Sequence, residues 1–353
     1  MLDWADRLRN LATLMVIAIH VAAPIAEGYT ELNTSWWWLG NFWNSVSRAG
    51  VPLFVMLSGY LLLGKDYPTG DFLRRRFTRV LVPALFWMSV YSLYNHIANG
   101  HPATFTDFLV GLVQGPVHYH LWFIYLIIGL YLIYPILRPW VRQARDADFW
   151  YLFAVCALAS WSLKIIYTFH HIGIGIYWEF FSNNLGYFAL GYYLGTKTDA
   201  RQEIPDGRRP QLAAWPLTIK QLRWLAVALI VVGTAATMLG SYWTKSSLPT
   251  DTHRYFWDYL TPNVGFAAVG WFLLARYSFG WRPLSDVEKA FSEASFGIYL
   301  AHVLVMDWWA QCGYWHSKWH PYKGVPILIG LITLMVFMVV SVIRTLPGGK
   351  KIT

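Results

Sequence analysis

Ten separate stretches of this chain run for about 20 mostly apolar residues, and that repetition constrains the fold more than any single motif. A helix needs roughly 20 such residues to cross a hydrocarbon core of roughly 30 Å, and backbone amides in that core are satisfied only within helices or closed barrels. The stretches fall near 8–28, 42–64, 79–97, 119–137, 148–168, 173–195, 222–241, 255–276, 288–310 and 324–345. The expected fold is all-α, a polytopic membrane protein with about ten transmembrane helices. Composition agrees: 56% of residues are apolar and 13% charged, too little charge to cover a soluble surface of this length. The 21 Trp, 22 Tyr and 21 Phe supply rings with one polar edge for helix ends at membrane interfaces. Reading the first stretch as a cleaved signal peptide is possible, with Arg7 and Arg9 before it and Ala22 and Ala23 after its core. A retained first helix instead gives an even count of spans, which the charge distribution favours.

Lys and Arg mark cytoplasmic loops. With both termini inside, 22 of the 28 Lys and Arg fall on the cytoplasmic side, while Lys245, Arg254, Lys318 and Lys323 fall outside. Arg48 and Lys164 remain within spans. The bias orients the chain and accounts for the net charge of +9 without invoking nucleic acid. The polar segment 196–221 is too short for a domain and reads as a cytoplasmic loop, so residues 1–353 form one integral membrane domain. The 2 cysteines, Cys156 and Cys312, offer neither a disulfide framework nor a metal-ligand pattern, and no metal site is expected.

Ionisable and polar side chains inside spans are costly unless they face a cavity or a partner, so they are the first candidates for function. In helix 1, Arg9 lies at the cytoplasmic mouth and His20 beyond the middle. Their spacing turns a helix by about 1100°, placing both side chains on one face about 16 Å apart. An interfacial anchor plus a histidine bonded to a neighbouring helix would produce the same pattern. Arg76 and Arg79 stand three apart at the cytoplasmic start of helix 3. Guanidinium forks suit phosphate oxygens, although plain positive-inside anchoring also places arginines there. Towards the outside, Arg48, Lys164 and Glu179 have similar depths. Glu179, Asn183 and Tyr187 form one helical stripe, and Ser295, Tyr299 and His302 another. Such stripes can simply join helices; together with buried charges on three other helices they favour a water-filled chamber, in which a cation is expected to face Glu179 or a bound acceptor.

Several of these segments resemble the acyltransferase-3 family of membrane O-acyltransferases. ADRLRNLATLMVIAIH resembles its basic-x10-His signature, with Arg9 and His20 at the matching positions. SVSRAGVPLFVMLSGYLLLG resembles its second helix, RRRFTRVLVP holds an RxxR pattern at Arg76 and Arg79, HYHLWFIYLIIGLYLIYP resembles its HLWF helix, and SFGIYLAHVLV its late YxxH-type helix. The likeness runs from about residue 5 to the last span, in the family's order. Among members it is nearest to stand-alone enzymes that O-acetylate surface glycans such as enterobacterial common antigen. Asn10 departs from the glycine usual after the helix 1 arginine. A two-stage mechanism through a fused SGNH-type esterase domain is not expected.

The resemblance implies transfer of an acyl group, usually acetyl, from cytoplasmic acyl-CoA to a hydroxyl of an envelope carbohydrate or lipid-linked sugar, in a bacterial inner membrane. Acyl-CoA is then a co-substrate, with no permanently bound cofactor; the remaining partners are membrane lipid and the acceptor, not nucleic acid. His20 becomes the catalytic residue, as general base or as a transient acyl-imidazole. Arg9, Arg76 and Arg79 become the acyl-CoA-binding residues, and Arg48, His120, Trp122, Glu179, Asn183, Tyr299 and His302 the acceptor side. A proton-coupled transporter of a small polar solute would also bury Arg, Lys, Glu and His, and a receptor-like protein without turnover is a third class. The sequence holds no inverted repeat and no matched pair of broken helices to favour transport.

Overall fold

The computed structural model describes residues 2–28, 31–100, 104–172, 184–197, 217–248, 252–280, 282–313 and 320–353. Among them there is no strand. The helices are α1 (Asp3–Gly28), α2 (Ser35–Ser47), α3 (Gly50–Leu63), α4 (Thr69–Asn99), α5 (Phe105–Gln114), α6 (Trp122–Gln143), α7 (Asp146–His170), α8 (Leu185–Lys197), α9 (Ile219–Ser247), α10 (Pro262–Ser278), α11 (Asp286–Gln311) and α12 (Pro321–Thr345).

Seven segments among the described residues are long and apolar enough to cross a membrane: Asp3–Gly28, Ser35–Leu63, Thr69–Ala98, Tyr119–Gln143, Asp146–His170, Ile219–Ser247 and Tyr322–Thr345. The other three expected spans coincide with α8, α10 and α11. Residues 173–183 of the sixth span lie outside the described residues, as does most of the 196–221 loop. α10 has 17 residues, and α11 carries Asp286, Glu288, Lys289, Glu293 and Asp307. Both bury long runs of their residues against other helices; on α11 the charged residues Asp286, Lys289 and Glu293 of the first turns are exposed, while Glu288 and Asp307 are half-buried.

Local chemistry sets the boundaries. The second span was expected as one helix over 42–64; it starts earlier, at Ser35, where the Thr34 side chain caps the Trp37 amide. It is interrupted at Arg48–Ala49 because Pro52 has no N–H to give to the Arg48 carbonyl one turn back. A helix was also expected from 255, but Thr252–Trp257 form a 3-10 turn and the α-helix begins at Pro262, a residue suited to a first turn. Between them Asp258 accepts the Leu260 amide at 2.8 Å. α4 starts ten residues before the expected 79, which puts the arginines of RRRFTR on its first turns. α5, capped reciprocally by Thr104 and Asp107, was not anticipated.

Two helix pairs pack backbone to backbone. On α3 and α8, Gly59 lies against the Phe188 backbone and Gly191 against the Met56 backbone. On α9 and α10, Gly233 meets Asn263 and Ala267, and Gly270 meets Ala226 and Ile230. Small residues permit this approach where dispersion, not the hydrophobic effect, joins helices.

The site depends most on α1 and α11. Arg7 pairs with Glu288 at 3.0 Å, the Asn10 amide donates to the Glu288 carbonyl at 2.9 Å, and Arg9 donates to Ser292 at 2.8 Å. Higher up, His20 meets His302 at 2.9 Å. The partners climb together along both helices, so α1 and α11 run parallel in one register. Asn10, where the resemblance expects glycine, therefore ties the two helices at this point.

Gly191→Val should lower the melting temperature in detergent by the equivalent of about 1–3 kcal/mol or more, since its new atoms must displace the Met56 backbone. Gly129→Ala, whose Cβ meets nothing within 4 Å, should be neutral or stabilising. Equal melting of Gly191→Val and wild type would contradict the close α3–α8 approach.

Candidate active site

His20 occupies a half-buried position on α1, and its imidazole is held by α11. His302 Nδ1 lies 2.6 Å from the Tyr299 carbonyl, and His302 Nε2 lies 2.9 Å from His20 Nδ1. A carbonyl can only accept, so His302 Nδ1 carries a proton. His302 is 0% exposed, and an imidazolium there, with no carboxylate against it among the described residues, would be costly. The ring is therefore neutral and its Nε2 a lone pair. It follows that His20 Nδ1 holds the proton and donates to His302, which leaves His20 Nε2 as the accepting nitrogen. Among the described residues the Val16 carbonyl, one turn back on α1, is also within hydrogen-bonding reach of the His20 ring.

A second layer encloses the pair. The Tyr299 hydroxyl donates to the His120 carbonyl, holding the turn Tyr119–Leu121 that precedes α6. His120 and His118 approach through their Nδ1 atoms at 3.1 Å, while His120 Nε2 is buried without a hydrogen-bond partner. Burial pushes the His118 imidazole down to about 4, so this contact shares one proton between two neutral rings. The His120 ring centroid lies 5.3 Å from that of His302 and 6.3 Å from that of His20, and the Tyr119 ring is 5.5 Å from His20. Tyr91 of α4 braces the group from behind: its hydroxyl donates to the Leu300 carbonyl at 2.9 Å and its ring lies 4.7 Å from His118. His118, Tyr119 and Tyr91 were absent from the sequence reading; the HYHLW run carries two of them beside His120.

Towards the N-terminal end of α1 the arginines converge. Arg9 is ion-paired to Asp6 at 2.5 Å, and Ser292 bridges to the same carboxylate at 2.8 Å. Arg76 is half-buried with its guanidinium 5.9 Å from the Phe72 ring centre, and Arg79 is exposed one turn further on. Arg9, Arg76 and Arg79 all act electrostatically on Tyr131 of α6, so three guanidinium groups from α1 and α4 surround one point. Arg79 also lines a surface cavity of about 380 Å³ with Asp71, Arg74, Arg75 and Thr78.

Beyond His20 lies an aromatic wall. The Arg48 guanidinium sits 5.7 Å from the centres of both Trp257 and Tyr259, and the Trp122 ring stacks on Tyr259 at 5.7 Å. The Tyr187 hydroxyl donates to the Tyr259 carbonyl at 2.7 Å. Arg48 is within electrostatic range of His20. Lys164, expected at a depth similar to that of Arg48 and Glu179, pairs with Asp258 at 2.6 Å, a carboxylate that the sequence reading placed inside a helix. Glu179 and Asn183 lie outside the described residues. Ser295 donates to the Ser292 carbonyl at 2.8 Å, a bond within its own helix.

The described residues thus bring together an arginine cluster near the N-terminal end of α1, the His20–His302 pair between α1 and α11, and the aromatic wall around Arg48. Residues 2–345 match a family model described as an acyltransferase domain, and the chain belongs to the acyltransferase-3 family. Comparison with curated proteins and with solved structures gave no match.

Replacing His302 separates the tautomer argument from general packing. His302→Gln keeps an acceptor oxygen for His20 and should retain turnover within about tenfold, whereas His302→Leu should lose about a hundredfold or more at similar donor affinity. Full turnover in His302→Leu would remove the residue from the mechanism.

Proposed function

We propose that this protein is a membrane O-acyltransferase of the bacterial inner membrane that moves an acyl group, preferably acetyl, from cytoplasmic acyl-CoA to a hydroxyl of an envelope carbohydrate or lipid-linked sugar. The observation that carries this reading is the His302–His20 bond, which leaves His20 Nε2 free to accept a proton. As the sugar oxygen attacks the thioester carbonyl carbon, its proton passes to His20 Nε2. The tetrahedral adduct then expels the thiolate of CoA, which takes the proton back from His20 and leaves as the thiol. His302 supports the transient imidazolium by accepting from Nδ1 throughout. Both nitrogens of each ring thus have a role.

Arg76 and Arg79, with Arg9 oriented by Asp6, hold the phosphates of the donor. Arg48 and Trp122 face the acceptor, and Glu179 and Asn183 are proposed to complete that side. His120, with a buried nitrogen lacking a protein partner, is the group next to His20 best placed to bond the reacting oxygen atoms. The parallel pairing of α1 with α11 agrees with their being the first and ninth of about ten spans, which cross in the same direction, while the N-inside, C-inside orientation rests on the Lys and Arg bias of the loops. The resemblance of the sequence motifs to those of enzymes that O-acetylate surface glycans such as enterobacterial common antigen suggests an amino-sugar acceptor.

Purified protein in nanodiscs should release CoA from acetyl-CoA in the presence of an envelope glycan and label that glycan with acetyl. His20→Ala should fold and bind acetyl-CoA yet transfer at least about a hundredfold more slowly. Near-normal transfer by that variant would overturn the proposal. Arg76→Ala and Arg79→Ala should raise the apparent KM for acetyl-CoA, with lysine rescuing only in part because the bidentate fork is lost. Unchanged donor KM with weakened acceptor binding would reverse the assignment of the two ends.

A further inference from the structure

We infer that the acceptor is anionic, and that Arg48 is the subsite for its negative group, a carboxylate or phosphate close to the hydroxyl that is acylated. This rests on the O-acyltransferase reading above and specifies its substrate class. Two other cations within the bundle have carboxylates: Arg7 has Glu288 at 3.0 Å and Lys164 has Asp258 at 2.6 Å. Arg48 differs. Among the described residues no carboxylate pairs with it, its Nε is shut off from solvent with no hydrogen-bond partner, and its charge is faced by the rings of Trp257 and Tyr259. Ring faces attract a guanidinium, and the Tyr259 side chain also hydrogen-bonds this one, but the remaining N–H groups lie in the plane, where a planar oxyanion pairs with two parallel bonds.

Its position gives the charge a use. Arg48 stands at the break between α2 and α3, where Pro52 interrupts the helix, and it acts electrostatically on His20. An anion seated there holds the neighbouring part of the same molecule beside the accepting nitrogen. Trp122, stacked on Tyr259, extends the aromatic surface on which the apolar face of a sugar ring can lie. An acceptor carrying both features, a pyranose ring and an acidic group, matches the wall better than a neutral glycan does. Two sources supply that chemistry: an acidic sugar's own carboxylate, or the diphosphate joining a sugar to its lipid carrier.

The test uses the full-length protein in nanodiscs with acetyl-CoA and envelope glycan extracted from the source cells in three forms: untreated, carboxyl-reduced, and freed of lipid diphosphate by mild acid. The expected result is a kcat/KM lower by about tenfold or more for one of the treated forms, the size of a lost charge-assisted hydrogen bond. Loss on carboxyl reduction assigns the sugar carboxylate; loss on mild acid assigns the diphosphate. In Arg48→Gln the untreated and treated forms should be used equally well, and Arg48→Lys should keep part of the preference. If Arg48→Gln does not fold, the wild-type preference and its reduction in Arg48→Lys decide. Equal use of all three forms by the wild type overturns the inference, as does a preference that survives in Arg48→Gln. Equal use together with matching destabilisation of Arg48→Gln and Glu179→Gln assigns Arg48 to a structural pair instead. Absence of transfer to every form, including untreated glycan, is the separate result that overturns the O-acyltransferase reading itself.

Discussion

A hydrogen bond between two imidazoles, from His20 Nδ1 to His302 Nε2 across 2.9 Å, sets the chemistry of this bundle, and much of the surrounding structure serves to hold it. Two flexible helices would not keep such a contact unaided. About three to four turns away, α1 and α11 are tied by Arg7–Glu288, by Asn10 with the Glu288 carbonyl, and by Arg9 with Ser292, while Asp6 holds Arg9 from within α1. A slip of one residue along either helix would break these ties together and swing His302 away by roughly 100°. At the other face the Tyr299 hydroxyl and Tyr91 fix the His118–His120 turn against the same pair. The register of two parallel helices is thereby converted into the tautomer of one ring.

Charge is distributed around this pair by role. Most guanidinium groups of the bundle ends are neutralised: Arg138 and Arg142 by Asp66, Arg282 by Glu288, Arg344 by Glu293 and Arg254 by Glu27. These pairs join loops and helix ends, and exposed pairs of this kind contribute little to stability, about 0–1 kcal/mol each. Arg76 and Arg48 instead rest against aromatic rings, one on each side of His20. The arrangement suits two anionic reactants approaching from opposite ends with the histidine between them. Elsewhere the bundle packs closely through the glycine contacts of α3 with α8 and of α9 with α10.

The class of fold was legible because lipid demands long apolar helices, a signal that survives without any tertiary information. His20 stood out as well, as a histidine amid LMVIAIHVAA, although the sequence alone left it equally open as a group bonded to a neighbouring helix. The His20–His302 bond was not: it joins residues 282 apart, and periodicity assigns a face to each helix but no neighbour to that face. For the same reason His302 was grouped with the acceptor chamber by its stripe. The Asp258 partner of Lys164 was hidden by an apolar average over 255–276, which carried a helix across a turn that Pro262 ends. Pro52 offered the clearest missed cue, because a proline in an apolar span marks the carbonyl one turn earlier, here that of Arg48.

The central claim concerns the location of one proton, and nitrogen-15 magnetic resonance of histidine-labelled protein in lipid reads it directly. With His20 assigned by its loss in His20→Gln, the account predicts a protonated Nδ1 coupled across a hydrogen bond to His302 and an unprotonated Nε2 at neutral pH. A His20 ring protonated at Nε2, with a bare Nδ1, would contradict it, because the nitrogen facing the reactants would then have no lone pair with which to take the proton.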